Sequence, residues 1–153
     1  MKIISKYIEA HIFREENEKI EFLLMKRDEK EIYPGVWQMV TGKIRENETA
    51  VEAALREIKE ETGLSPEKFW IVPNINSFYS KEDDAISMLP VFAAKVSMDV
   101  QIAISSEHSE FRWVDAQTAK KMLAWPGQKH SVNIIYEYFK EHKNYLKFLE
   151  IML

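Results

Sequence analysis

The chain has 153 residues, 46% of them hydrophobic, which suits one domain with a full core. It has no cysteine, which excludes disulfides, thiolate chemistry and Cys-ligated zinc. A net charge of -4, with basic and acidic residues intermixed, gives no nucleic-acid surface, and no apolar run is long enough to span a membrane.

The opening MKIISKYIEAHIF alternates like a strand and carries Glu9, unlike a secretory signal, so a cytoplasmic location is expected. Ser5 to Phe13 and Ile20 to Lys26 read as strands around a hairpin turn, REENEK. Asp28 to Gly35 is a polar loop ending in Pro-Gly. Val36 to Val40 reads as a short strand entering a Thr41-Gly42 turn. A helix follows over Ala50 to Thr62. Thr49 and Glu52 form its capping box and Gly63 its left-handed stop. Val51, Ala54, Leu55 and Ile58 make its apolar stripe.

Phe69 to Tyr79 and Ala85 to Val96 are strands joined by the charged turn Lys81 to Asp84, with Pro90 marking an edge or a bulge. Phe111 to Val114 is a short strand leading to Asp115, which caps a helix over Ala116 to Leu123. Pro126-Gly127 is read as a break. A second amphipathic helix, Gln128 to His142, turns Val132, Ile135, Tyr136 and Phe139 inward. The tail YLKFLEIML is apolar and packs on the core or on a partner; monomer and homodimer are both open. Strands interleaved with helices predict a single α/β domain, residues 1–153, with a mixed sheet covered by helices.

The chemistry concentrates on the first helix. Glu57, Glu60 and Glu61 share an arc of about 100°. Like charges at these offsets repel, so the cluster needs either water around it or a cation. Ala50 and Ala53 are small and leave room above the acidic face, and Arg56 is placed to pair with Glu60. Carboxylates are hard oxygen ligands of the kind that Mg²⁺ or Mn²⁺ prefers.

Gly42, Glu48 and the run Arg56-Glu57-Ile58-Lys59-Glu60-Glu61-Thr62-Gly63-Leu64 match the Nudix box at every defined position, over the 23 residues from Gly42 to Leu64. The chain therefore resembles the Nudix (MutT-like) hydrolase family, and the flanking strands and final helix fit that fold. The resemblance implies an α/β/α sandwich with the mixed sheet between helices. It implies Mg²⁺, with Mn²⁺ as a substitute, held by Glu57, Glu60 and Glu61 with the Gly42 carbonyl, Glu60 being the most central ligand. Arg56 would orient a carboxylate and Glu48 would brace the loop. Lys43 stands where many relatives have glycine and is a candidate phosphate contact. Relatives often add a glutamate outside the box, and Glu107, in the run SSEHSEFRWV, is the candidate for a metal or base role ahead of Glu110. His108 beside it reads as a surface or hydrogen-bonded histidine. Arg27 resembles the family's phosphate-contacting arginine.

The substrate signal lies outside the box. Trp37-Gln38-Met39-Val40-Thr41-Gly42, the Glu107-His108 pair and Phe111-Arg112-Trp113-Val114 resemble dihydroneopterin triphosphate pyrophosphatases, once described as dATP pyrophosphohydrolases. Diadenosine polyphosphate hydrolases share some of these features. Trp37, Phe78, Tyr79 and Trp125 are candidate walls for a flat ring, and Gln38 a candidate for its edge. The residues by themselves permit a metal-dependent phosphoanhydride hydrolase, a catalytically silent binding module, or a scaffold with an acidic surface. The expected partner is a small nucleotide or pterin triphosphate, with no nucleic-acid polymer and no membrane.

Overall fold

The computed structural model describes residues 1–153. The strands are β1 (Lys2–Ile4), β2 (Tyr7–Glu16), β3 (Lys19–Arg27), β4 (Trp37–Gln38), β5 (Val40–Lys43), β6 (Lys68–Ser80), β7 (Ala85–Lys95), β8 (His108–Val114) and β9 (Glu150–Ile151). The helices are α1 (Ala50–Thr62), α2 (Ala116–Met122) and α3 (Pro126–Glu141), followed by a 3₁₀ segment over Lys143–Phe148. All the strands join one mixed sheet whose main path runs β4-β3-β2-β7-β6-β9, with β1 on β7, β5 on β2 and β8 on β3. The β1–β7 and β2–β7 pairs are parallel.

Side-chain alternation along the strands builds a core on each face of the sheet. Ile8, Ala10, Leu23, Met25 and Phe92 pack beneath Ala54 and Ile58 of α1. Phe13, Phe22, Leu24, Trp70 and Ala93 pack beneath Ala119 of α2 and Val132, Ile135 and Phe139 of α3. The expected sandwich, a mixed sheet between helices, is what the chain forms. No helix is long and apolar enough to cross a membrane.

Several local expectations are corrected. The first hairpin turns over Asn17 and Glu18 alone, both at positive φ (52° and 65°), as a two-residue turn matching strand twist requires. Thr41-Gly42 is not a turn but part of β5, paired with Ile8 and Glu9 of β2. The irregularity near Pro90 lies on the opposite strand, where the β6 register shifts between Ile71 and Ile75. Pro126-Gly127 starts α3 rather than breaking the chain: Pro126 occupies the first turn, where a missing N–H costs nothing. Tyr136 is 38% exposed rather than inward. Of the apolar tail, left open between core and partner, Ile151 and Glu150 pair with Phe69 and Trp70 of β6, while Phe148, Met152 and Leu153 stay exposed.

Candidate metal centre and substrate cleft

Helix α1 is fixed at both ends before it meets the sheet. Thr49 Oγ1 accepts from the Glu52 amide (3.1 Å), Glu52 Oε2 accepts from the Thr49 amide (2.8 Å), and Gly63 takes φ 76° at the stop. The capped helix buries more than its apolar stripe. Ala53 is fully buried in the core, so it leaves no open room above the acidic face, contrary to expectation. Glu61 is 2% exposed, turned inward like Ile58 and Thr62 of the same helix. The 97–107 connection closes over it, with the Ser105 amide donating to the Glu61 carbonyl and the Ala103 amide to the Thr62 carbonyl.

The three box glutamates therefore occupy different environments. Glu60, expected at the centre, stands at the rim: its side chain is 49% exposed and pairs with Arg45 (3.4 Å) and Arg56 (3.2 Å). Glu57 is largely covered and lies against Gly42, where any Cβ would collide with its carboxylate. That contact is a physical reason for glycine at 42. Burial raises the Glu57 carboxyl, and the Arg56 guanidinium offsets only part of that rise. Glu61 is the most perturbed of the three. Burial, then the charges of Glu57 and Glu107, push its carboxyl well above the usual range.

Arg56 organises the cluster. Its Nε and Nη2 donate to the two oxygens of Glu48 (2.6 and 2.9 Å), Nη1 donates to Glu57 Oε1 (2.6 Å), and Nη2 also reaches the Lys43 carbonyl (2.9 Å). This fork is a geometry that lysine cannot supply. Glu48 also accepts from the Arg45 amide (2.9 Å), and the Arg56 hydrogen bonds bring its carboxyl down to about 2. Lys43 contributes its backbone to this network, while its side chain is exposed.

The segment from Ser105 to His108 supplies the other half of the centre. Ligand atoms of Glu61, Glu107 and His108 lie within 4.8 Å of one another. Glu107 is exposed, and His108 is 4% exposed. The Gln38 amide nitrogen sits 2.9 Å from His108 Nε2, so with Gln38 donating, the ring proton resides on Nδ1, 3.9 Å from Glu61 Oε1. Burial, with the nearby Arg27 charge, lowers His108 to about 4, and it is neutral at pH 7. The expectation of a hydrogen-bonded histidine holds, although the residue is not on the surface. Glu110 instead pairs with Arg112 (2.9 Å) on the exposed side of β8.

The donor set fits a hard divalent cation. Both carboxylate oxygens of Glu61 are buried without a hydrogen-bond partner, as is His108 Nδ1. A buried carboxylate flanked by two further carboxylates is costly without a cation to share. Glu61, Glu107 and His108 are the side chains whose ligand atoms come close enough together to hold one, with Glu57 near enough for its charge to act on Glu61 and Glu60 at the rim.

A cleft of about 620 Å³ adjoins this centre, and Arg27 and Gln38 line it. Arg27 is positioned by the loop after β3: its Nε donates to the Ile32 carbonyl (2.6 Å), and Glu31 lies 3.7 Å away. Phe78, Tyr79 and Trp125 line the cleft as expected, each about half exposed. Trp37 does not. It packs under the Arg112 guanidinium, 4.9 Å from the ring centroid, and bridges to Leu123. Gln38 lines the cleft, whereas Trp37 beside it packs against the core beneath α2 and α3. Sequence reasoning also missed Tyr33, whose ring meets Trp125 edge-on at 5.7 Å, as well as Glu9, Asn76 and Gln128. Glu9 had a signal, a charged residue within an apolar strand; the others had none.

Fold and site together define an α/β/α protein with an arginine-braced carboxylate centre beside an aromatic-rimmed cleft. The NUDIX domain model matches residues 8–135, and the chain belongs to that family. It is 33% identical over 105 residues to an octanoyltransferase of Myxococcus xanthus, covering 64% of this chain but 28% of that protein. It is 26% identical to the asymmetrical bis(5'-nucleosyl)-tetraphosphatase of Mus musculus, over 74% of this chain and 77% of that one. The structure of the E. coli dihydroneopterin triphosphate pyrophosphohydrolase superposes with a TM-score of 0.72 at 22% identity, covering 85% of this chain and 95% of that one.

Proposed function

We propose that this protein is a cytoplasmic, Mg²⁺-dependent pyrophosphohydrolase, Mn²⁺ serving as a substitute. Its substrate is dihydroneopterin triphosphate or a (d)NTP, cleaved with release of pyrophosphate. The observation that carries the reading is the buried, unpartnered Glu61 carboxylate, set between Glu57 and Glu107 next to a cleft sized for a ring. When bound there, a divalent cation neutralises phosphate oxygens and activates water.

The chain's own residues do the positioning, which is most of what phosphoryl transfer asks of a protein. Arg56 holds Glu57 and Glu60 and is itself held by Glu48. Arg27 places a fixed positive charge between cleft and carboxylates, where the triphosphate must pass. The exposed carboxylate of Glu107 takes the proton of the attacking water. Neutral His108 and Gln38 fill the wall between the centre and the cleft. Phe78, Tyr79 and Trp125 enclose the ring.

The aligned mouse tetraphosphatase favours a second reading, diadenosine tetraphosphate cleaved with ATP as a product. The unbroken carboxylate set weighs against a silent binding module. The test is a panel of dihydroneopterin triphosphate, dNTPs, NTPs, diadenosine tetraphosphate and ADP-ribose, with and without Mg²⁺. We expect metal-dependent pyrophosphate release from a triphosphate. Preference for diadenosine tetraphosphate selects the second reading, and no metal-dependent turnover on any compound contradicts both.

A further inference from the structure

The cleft carries a second polar cluster, away from the metal chemistry. Glu9 on β2 is fully buried, and its Oε2 lies 2.7 Å from His11 Nε2. Asn76 on β6 donates from Nδ2 to Glu9 Oε1 at 2.9 Å. Burial alone would raise the Glu9 carboxyl, but His11 and Asn76 outweigh it and hold the group below its usual range. An ionised carboxylate only accepts hydrogen bonds. The Asn76 amide is therefore locked with its nitrogen toward Glu9 and its oxygen away. That oxygen sits in the space a Cβ would fill on Gly127, in the first turn of α3. The next residue, Gln128, is 8% exposed, lines the same cleft, and leaves its Oε1 buried without a partner. Buried amide groups are almost always paired.

We propose that Asn76 and Gln128 determine specificity by reading the edge of an amino-bearing heterocycle, a purine or pterin. Asn76 Oδ1, fixed as an acceptor, takes a hydrogen bond from the exocyclic amine, and the Gln128 amide pairs with the adjacent ring position. Tyr33, Phe78 and Trp125 flank the plane of the ring. Glu9 and Gly127 act as positioning residues, one orienting the Asn76 amide and the other leaving it room. This assignment rests on the substrate reading above and narrows it. Hypoxanthine, uracil and thymine offer no such amine and are disfavoured.

The experiment compares GTP and ATP with ITP, which lacks an exocyclic amine. One arm measures kcat/KM with Mg²⁺. The other measures calorimetric affinity for the non-hydrolysable α,β-methylene analogues. The wild-type protein should favour GTP or ATP over ITP by roughly tenfold. Asn76→Ala should bring that ratio to within about twofold of unity, as a lost hydrogen bond of this size predicts, whereas Gln128→Met, which removes a contact to the ring N–H that GTP and ITP share, should weaken both and leave the GTP-to-ITP ratio in place. Gly127→Ala, a change that favours helix, should lower the ratio with the melting temperature retained, because it displaces the Asn76 amide. Equal use of ITP by the wild type, or an unchanged ratio in folded Asn76→Ala and Gly127→Ala, overturns the proposal. If no compound turns over, the hydrolase reading fails on its own, and the calorimetric ratio still decides this one.

Discussion

The carboxylate centre and the ring cleft sit side by side but are built in opposite ways. The centre is almost contiguous: Gly42, Glu48, Arg56, Glu57, Glu60 and Glu61 come from one strand end, the loop after it and one capped helix, joined late in the chain by Glu107 and His108. The cleft gathers Glu9, Arg27, Tyr33, Gln38, Asn76, Trp125 and Gln128 from distant strands, a loop and a helix start. On the proposed reading, reaction chemistry is local in sequence, while recognition is distributed. Variants at the centre should change turnover, and variants in the cleft should change which substrate is bound and how tightly.

The largest effect belongs to the buried carboxylate. Glu61→Gln should reduce kcat by at least about 100-fold, roughly 3 kcal/mol of barrier, and Glu60→Gln by about tenfold. Steady-state kinetics with Mg²⁺ checks the order. A Glu60 effect larger than that of Glu61 would return Glu60 to the centre, where the sequence alone put it.

The cleft should answer differently. Trp125→Ala should raise KM by about fivefold with kcat nearly unchanged, the scale of one lost aromatic contact. Trp37→Phe should move neither constant, because that ring packs beneath Arg112 outside the cleft. A KM effect at Trp37 would break the division between the two faces of β4.

The smallest effect is on stability. The Glu61 carboxyl is raised in the folded chain, so the folded state holds its proton over a pH range in which the unfolded chain has lost it. That contribution is complete below the ordinary carboxylate range and disappears as pH rises through the raised value. Metal-free protein should therefore lose stability relative to Glu61→Gln as pH increases, and Mg²⁺ should restore it. Melting curves across pH, with and without the ion, measure this. A difference that runs the other way would show that Glu61 is ionised and satisfied without a cation.

Much of the centre was legible in the sequence because its information is local. The capping box at Thr49 and Glu52, the stop at Gly63 and the carboxylate spacing all lie within a few residues of one another. The two core faces followed from strand alternation. What could not be read was burial: the spacing leaves the glutamate cluster facing either water or a cation, whereas the 97–107 connection folds over Glu61. The cleft was mostly illegible for the same reason. Asn76 matters because Glu9, 67 positions away, fixes its amide, and no local pattern records that pairing. Trp37 could not be separated from Gln38 by position alone, because consecutive residues of β6 do share the cleft; its packing against the α2/α3 core decides it.

Everything proposed for turnover rests on a cation held by the buried carboxylates of α1. The direct measurement is anomalous diffraction from crystals soaked in Mn²⁺. A peak bounded by Glu57, Glu61 and Glu107, and lost in Glu61→Gln, is expected. No peak there, or a peak that survives that substitution unchanged, contradicts that placement of the cation.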